Sequence, residues 1–266
     1  MTDLTLERLS YRFPQGGALA LDGIDLRIAT GERVALIGQN GSGKTTLVRH
    51  LNGLLRPTTG RVLHDDSDVA SRTVAQLARS IGLVFQDPDR QIFAGSARRE
   101  AEFGPRNLGV RGGALHAAVD AALAEVGLEA EAGTNPYDLG ASRRKLLALA
   151  SVQAMGTPVL VLDEPTTGQD MRGVAIVKRI IDGAHSAGRT VIAISHDMGF
   201  VAESFDRVVV LRAGKVILDG TPASAFGEAS WDALRSTYLE PPLPAIVGSR
   251  LGVGATPTDA ALLAAL

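Results

Sequence analysis

Gly38-Gln39-Asn40-Gly41-Ser42-Gly43-Lys44-Thr45-Thr46 is the stretch of this sequence from which the fold can be read. An apolar run, Val-Ala-Leu-Ile, occupies positions 34–37 before it, and residues 47–51 after it have helical spacing. The stretch matches the pattern G-x-x-x-x-G-K-[ST] in the strand–loop–helix context that the pattern requires. Glycines in such a loop let backbone N–H groups approach phosphate oxygens in conformations that a Cβ would obstruct.

The loop also leads into a helix N-terminus, where unpaired donors and the helix dipole favour an anion. Lys44 is then placed to reach the β- and γ-phosphates, and Thr45 to offer its hydroxyl to Mg²⁺. A glycine-rich turn without a ligand is the alternative, but chance would have to produce four fixed positions and the flanking pattern. The stretch therefore predicts binding of a nucleoside triphosphate.

Length, composition and charge limit the domain organisation and the binding partners that the sequence allows. A chain of 266 residues suits one large α/β domain, or one with an inserted subdomain and a tail. The net charge of −2 gives no bulk attraction to nucleic acid, and the absence of cysteine excludes disulfides, thiolate metal sites and a cysteine nucleophile. Residues 1–5 lack the features of a signal peptide, and no apolar run approaches the ~20 residues that span a bilayer. We expect a membrane role to need a partner.

Along the chain, short apolar runs and helical segments alternate. Residues 4–28 read as short strands around a turn at 14–17, and so predict an antiparallel β layer. Helical patterns dominate residues 87–151, and a hairpin is expected at 208–218. We predict an α/β fold with a mostly parallel, right-handed wound sheet and an inserted helical subdomain. The predicted domain covers residues 1–220, and residues 221–266 form a tail.

Polar residues follow three of the buried strands. Gln86, Asp163 and His196 come just past strand ends, where open α/β sheets bind ligands. Asp163 is suited to holding Mg²⁺, and Glu164 to orienting or deprotonating an attacking water. Gln86 has the chemistry to contact Mg²⁺ or that water, and His196 to donate to the γ-phosphate. Taken singly, an acidic pair at a strand end is often an N-cap and its neighbour, and a lone histidine is more often a satisfied polar residue. Together with the loop, these residues predict phosphoryl-transfer chemistry.

The ordered set of motifs resembles an ATP-binding-cassette ATPase over about residues 4–220. The resemblance is carried by Tyr11, the 38–46 loop, Gln86, the run VLVLDEP at 159–165, residues 167–170 and His196. It implies a head-to-tail dimer with two ATP molecules between the subunits. By position it implies the following roles: Tyr11 stacks on adenine; Gly38, Gln39, Asn40, Gly41, Ser42, Gly43, Lys44, Thr45 and Thr46 hold phosphate; Thr45, Gln86 and Asp163 serve Mg²⁺; Glu164 is the catalytic base; Gln86 and His196 assist it; and Asp170 closes the D-loop across the dimer.

Tyr11 has a second interpretation from the residues alone. An aromatic ahead of the loop can stack on a base, but a strand residue packed on its own sheet has the same pattern. The residues alone favour the packed strand residue, and the stacking role rests on the resemblance.

One motif departs from the family. The signature LSGGQ, about two dozen residues before the acidic strand, is replaced by Leu-Gly-Ala-Ser-Arg at 139–143. Gly140 removes the serine hydroxyl, and Ala141 and Ser142 replace two glycines, so their side chains should hinder a phosphate. In this family the signature acts on ATP held by the other subunit. The hypothesis is that this chain works in an asymmetric dimer, beside an ATPase whose signature is intact.

A finer resemblance lies in residues 85–93 and 102–109, which are similar to ATPases of energy-coupling-factor importers for vitamins, cobalt or nickel. It implies a second ATPase, a transmembrane coupling protein, a substrate-binding membrane protein, and a peripheral location on the cytoplasmic face of the membrane. Residues 87–93 would then lie near the membrane partner, although Ile92 and Phe93 are equally typical of a core. A low-turnover regulatory ATPase, or one outside transport, is the alternative function.

In the tail, Trp231, Leu234 and Leu239 have a spacing compatible with one helix face, residues 241–244 predict a break, and residues 260–266 a short apolar helix. Dimer contact and packing on the chain's own domain are equally open roles for the tail.

Overall fold

A computed structural model of the chain describes residues 3–266. Strands and helices alternate through most of this range, as expected for an α/β fold. The strands are β1 Leu4–Tyr11, β2 Leu21–Ile28, β3 Arg33–Ile37, β4 Thr59–His64, β5 Ser67–Asp68, β6 Ile81–Val84, β7 Val159–Asp163, β8 Thr190–Ile194, β9 Arg207–Arg212 and β10 Lys215–Gly220. The helices are α1 Lys44–Leu51, α2 Val74–Leu77, α3 Ala97–Asn107, α4 Gly112–Glu125, α5 Ala141–Gln153, α6 Met171–Ser186, α7 Met198–Ser204, α8 Pro222–Ala225, α9 Trp231–Arg235, α10 Leu243–Leu251 and α11 Asp259–Ala265.

The chain forms two compact units. The P-loop unit comprises the described residues up to Val74 together with Ile192–Leu266, and the helical unit comprises Ala75–Val191. Strand β8 begins in the helical unit and ends in the P-loop unit.

The P-loop unit contains the predicted antiparallel layer, with strand order β2-β1-β4-β5. The short strands expected before the turn at 14–17 are one strand, β1. It is bent where the register shifts between Leu6 and Leu9, and Arg8 there has a φ of 47°. A bulge at Arg8 lets the strand continue where the alternating pattern of apolar residues predicts a break.

A second sheet in this unit carries the loop that begins at Gly38. Strand β3 pairs in parallel with β9, which forms the predicted antiparallel hairpin with β10. Every residue of β3 after Arg33 is buried, as are three of the four residues of β9 that pair with it, Val208, Val209 and Val210, as expected for strands covered on both faces.

The helical unit pairs β6 with β7 in parallel and packs α3, α4 and α5 against one another. All five residues of β7 are buried. In α5 every residue from Lys145 to Val152 is buried, so this helix runs through the interior of the unit. The predicted helical segment is thus present, and its three helices lie between residues 97 and 153.

The tail differs from the prediction at Leu239. Helix α9 ends at Arg235, because Tyr238 adopts a left-handed φ of 59° and the Leu239 N–H donates to the Leu234 carbonyl. This pairing is that of a Schellman C-cap, so Leu239 does not continue the helix. Leu234 is fully buried, whereas none of the residues of α11 is. Among the described residues, no helix is both long and apolar enough to cross a bilayer.

Candidate nucleotide site

The predicted phosphate loop joins β3 to α1, and Gly38 and Gly43 are its crowded residues. A Cβ on Gly38 would lie 2.2 Å from the Leu211 carbonyl oxygen. Gly43 is the N-cap of α1 and has a φ of 107°. A Cβ there would lie 2.6 Å from the Ala20 carbonyl oxygen and 2.9 Å from Leu21 Cδ2. Gly38 and Gly41 also have positive φ, and a Cβ on Gly41 would meet nothing within 4 Å. The loop is therefore pressed against its own unit on one side and open on the other.

Lys44 lies inside this loop. Its side chain is buried, and Nζ donates to the carbonyl oxygens of Gly38 at 2.5 Å and Gln39 at 3.0 Å. The loop thus curls around an ammonium group, while the first backbone N–H groups of α1 point towards the loop. A cradle of backbone N–H groups around one cation suits the β- and γ-phosphates of a nucleotide, so the residues fit this ligand.

His196 belongs to the same unit. It is exposed and follows Ser195, whose N–H donates to the Leu36 carbonyl in β3. His196 therefore leaves β8 at the same end at which the loop leaves β3. Asp197, the next residue, caps α7 by accepting from the Phe200 N–H at 3.0 Å, which fixes the start of that helix.

Tyr11 does not fit the role predicted for it. Its side chain is only 8% exposed and packs edge-on against His50 on α1, with ring centroids 4.8 Å apart. The second interpretation, a residue packed on its own sheet, is the one the structure supports. Phe13, two residues on, is 42% exposed and packs edge-on against Tyr11. Phe13 is thus the exposed aromatic of this segment, and its place beyond the strand end, directly before Pro14, was the available sequence signal.

His50 and His64 lie in the interior of this unit. His50 Nδ1 pairs with the Thr46 carbonyl at 2.8 Å, and His64 Nε2 with the Leu51 carbonyl at 2.8 Å. Burial lowers the pKa of both rings, and the backbone hydrogen bonds offset this only in part. Both histidines therefore support α1 as neutral rings.

The predicted carboxylates lie in the helical unit. Asp163 is the last residue of β7 and is buried, and Glu164 follows with a left-handed φ of 52°. Gln86 is exposed and lies two residues after the end of β6. Since Val84 of β6 pairs with Leu162 of β7, Gln86 and the carboxylates leave the sheet at the same end. The structure thus brings these three predicted residues to one edge of this unit.

Hydrogen bonds from the buried Lys145 side chain hold the turn from Glu164 to Asp170. Lys145 Nζ donates to the carbonyl oxygens of Glu164 at 2.5 Å and Thr167 at 3.0 Å. Burial lowers the pKa of Lys145, and the Glu164 and Asp163 carboxylates counter this in part. Asp170 caps α6 by accepting from the Gly173 N–H at 2.8 Å.

The segment in the place of the signature begins α5. Gly140 is the N-cap and makes no side-chain cap, so the first backbone N–H groups of the helix keep their donors. Ser142 Oγ donates to Gln169 Oε1 at 2.7 Å, and Gln169 Nε2 donates to the Ser142 carbonyl at 3.1 Å. The Ser142 hydroxyl hydrogen is therefore used within the unit.

Gln91 connects the segment after β6 to the same helix. It accepts from the Phe85 N–H at 3.1 Å and donates to the Ala148 carbonyl at 2.8 Å. Arg144 forms an ion pair with Asp89 at 3.1 Å. The segment that carries Gln86 is thus attached to α5 at two points.

Comparison with known proteins identifies the family. The ABC transporter family model matches residues 21–167, which include the phosphate loop and the Asp163–Glu164 pair. The chain belongs to the ABC transporter family. It is an ATP-binding-cassette ATPase, as the motifs predicted.

The relatives include ATP-binding proteins of ABC transporters and of energy-coupling factor transporters. A putative ABC transporter ATP-binding protein of Methanosarcina acetivorans is 42% identical over 240 residues, and the chain spans only 39% of that longer protein. The energy-coupling factor transporter ATP-binding protein EcfA of Methanothermobacter thermautotrophicus is 36% identical over 97% of this chain and 83% of its own length.

A solved structure gives the same result. The structure of cbiO1 from Clostridium perfringens, described as part of the ABC transporter complex cbiONQ, matches with a TM-score of 0.76 and 35% identity. The match covers 94% of this chain and 98% of that one, and it confirms the predicted fold class.

Proposed function

We propose that the chain is the ATP-hydrolysing subunit of an importer of the energy-coupling-factor type, and one half of an asymmetric ATPase dimer. The observation that carries the proposal is the phosphate loop curled around Lys44, in a chain whose relatives include EcfA. The transported substrate would be a vitamin or a transition metal ion, the classes that the resemblance implies.

ATP would bind through the loop of residues 38–46. Its backbone N–H groups would take the phosphates, with Lys44 exchanging its loop carbonyls for phosphate oxygens. Phe13 would stack on the adenine in place of Tyr11, because Phe13 has the exposed ring. Mg²⁺ would neutralise phosphate charge and would take oxygen ligands from Thr45, Gln86 and Asp163.

Hydrolysis would depend on Glu164 as the base that orients and deprotonates the attacking water. Gln86 would contact that water or the metal ion, and His196 would donate to the γ-phosphate. Phosphoryl transfer needs mostly positioning and charge stabilisation, which is why residues at several strand ends contribute.

The dimer would be asymmetric because of the segment at 139–143. Its backbone donors at the start of α5 remain, but Ala141 adds a Cβ and the Ser142 hydroxyl already pairs with Gln169. The segment would therefore weaken hydrolysis of the ATP held by a partner ATPase. Asp170 would contribute to the contact across the dimer.

The membrane partner would dock on the helical unit. Ile92 is 3% exposed, whereas Phe93 is 60% and Phe103 48% exposed, and these two rings pack edge-on with centroids 4.6 Å apart. Ile92 therefore fits the interpretation as a core residue, and Phe93 fits the interpretation as a contact for the membrane partner. An exposed aromatic pair suits the apolar face of a coupling helix.

Gentle affinity purification of the tagged chain from detergent-solubilised membranes of its host tests the proposal. We expect a second ATPase with an intact LSGGQ and a multi-spanning membrane protein to co-purify, and Phe93→Glu to lose the membrane protein but keep the ATPase. Recovery alone, or with ribosomes, would refute the importer. A non-transport or low-turnover regulatory ATPase would then be the better description.

A further inference from the structure

The start of α5 and the turn that follows β7 are fastened together inside the helical unit. Lys145 on α5 is 7% exposed, and its ammonium donates to two carbonyls of the turn, those of Glu164 and Thr167. A buried ammonium is costly unless its donors are paired, so these two bonds hold the turn and the helix at a fixed distance.

A second pair joins the same two segments. The Gln169 side chain makes two hydrogen bonds with Ser142: it accepts from the Ser142 hydroxyl and donates to the Ser142 backbone carbonyl. Gly173 makes room for this pair, because a Cβ at Gly173 would lie 2.1 Å from Gln169 Oε1. Lys145 and the Ser142–Gln169 pair thus attach α5 to the turn at separate points.

The backbone of Glu164 needs such support. A glutamate with a left-handed φ of 52° is strained relative to the common backbone regions, and such residues persist only where their surroundings hold them. The Lys145 hydrogen bond to the Glu164 carbonyl acts on the strained residue itself. The Glu164 side chain is directed by a further bond, since Thr167 Oγ1 donates to its Oε2 at 3.3 Å.

We propose that Lys145 is a positioning residue that sets the place of the Glu164 carboxylate, and that the Ser142–Gln169 pair anchors the far end of the same turn. The inference rests on the proposed function, in which Glu164 is the base. It gives the serine in the signature segment a role within its own chain: Ser142 ties the start of α5 to the turn that carries Glu164.

The test compares Lys145→Met with Lys145→Arg in the full chain, together with any ATPase that co-purifies with it. We expect Lys145→Met to lower kcat about 10- to 100-fold, since small misplacements of a reacting group can cost about 100-fold. The KM and the affinity for ATP should stay within about threefold, because a group that acts only on the chemical step leaves binding unchanged. Lys145→Arg keeps donors for both carbonyls and should recover most of the rate. Lys178→Met, which removes an ammonium from α6, is the matched control and should behave as wild type.

A double-mutant cycle separates positioning from loss of structure. In a Glu164→Gln background, Lys145→Met should cause no further loss of rate, because it acts through the missing carboxylate. Losses that multiply in the cycle, or a Lys145→Met rate within about twofold of wild type, would overturn the positioning role. If Lys145→Met does not fold, Gln169→Leu replaces it, with a smaller loss of kcat at constant KM as the expected result and an unchanged kcat as the contrary one. A wild-type chain that hydrolyses no ATP would instead refute the proposed function.

Discussion

The phosphate loop and the signature segment are both loops that lead into a helix N-terminus, yet they treat an approaching phosphate differently. At the phosphate loop, Gly43 leaves a crowded point without a side chain, and Lys44 places its ammonium within the curl. At the start of α5, Ala141 carries a Cβ and Ser142 pairs with Gln169. The first terminus has no side chain in the way of an anion, whereas the second keeps its backbone donors but carries hindering side chains. We call them the open and the closed terminus.

Adding a Cβ to the open terminus should have the largest effect. We expect Gly43→Ala to lower ATP affinity more than about 10-fold and to destabilise the fold by about 2 kcal/mol, because a φ of 107° and the Ala20 carbonyl both oppose the side chain. Equilibrium ATP binding and urea unfolding measure these effects. Gly188→Ala is the control: it has a φ of 76°, nothing lies within 4 Å, and its affinity should not change. Equal ATP affinities for both variants would contradict the crowded cradle.

Restoring family residues at the closed terminus, the start of α5, should have the second-largest effect. Gly140→Ser with Ala141→Gly restores two family residues and leaves the Ser142–Gln169 pair intact. In a Glu164→Gln background the remaining turnover reports ATP held by the partner subunit. We expect that turnover to rise about 10-fold, less than the roughly 100-fold effect of a fully placed donor on a developing charge, because Ser142 and Arg143 still differ from the family. No rise would show that the departure from LSGGQ is harmless.

The exposed aromatic near the loop should have a smaller effect. Phe13→Ala should weaken ATP binding about fivefold, which corresponds to about 1 kcal/mol of stacking. Tyr11→Phe keeps the buried packing against His50 and should bind ATP normally. An unchanged affinity in Phe13→Ala would remove Phe13 from the site.

The smallest effect concerns His50 and His64, the buried histidines that support α1. Burial lowers the pKa of His50 and His64, so the folded chain binds fewer protons than the unfolded chain as the pH falls below about 6.5. The stability contribution of the two neutral rings should be fully present above that pH. The free energy of unfolding should fall by about 1 kcal/mol as the pH drops from 7 to 5. Urea unfolding at three pH values measures the slope. His50→Leu should flatten the slope and His116→Asn, on the exposed face of α4, should not. A flat wild-type profile would contradict neutral buried rings.

Local patterns predicted much of this molecule. The phosphate loop, the buried strands β7 and β8 and the final hairpin follow from glycine spacing and apolar runs that are read within a few residues. The Tyr238 cap that ends α9 was missed because a tyrosine carries no sequence signal for a left-handed φ. Tyr11 was preferred to Phe13 because exposure depends on where β1 ends. The pairing of Ser142 with Gln169, 27 residues apart, depends on tertiary packing and has no local signature.

The most direct test of unequal termini is the ATPase rate of the purified chain, alone and with a partner ATPase that has an intact LSGGQ. We expect slow hydrolysis by the chain alone, fast hydrolysis with the partner, and loss of the fast rate in Glu164→Gln. Fast, cooperative hydrolysis by the chain alone, lost in Glu164→Gln, would show that the segment at 139–143 is a working signature and would contradict the asymmetric dimer.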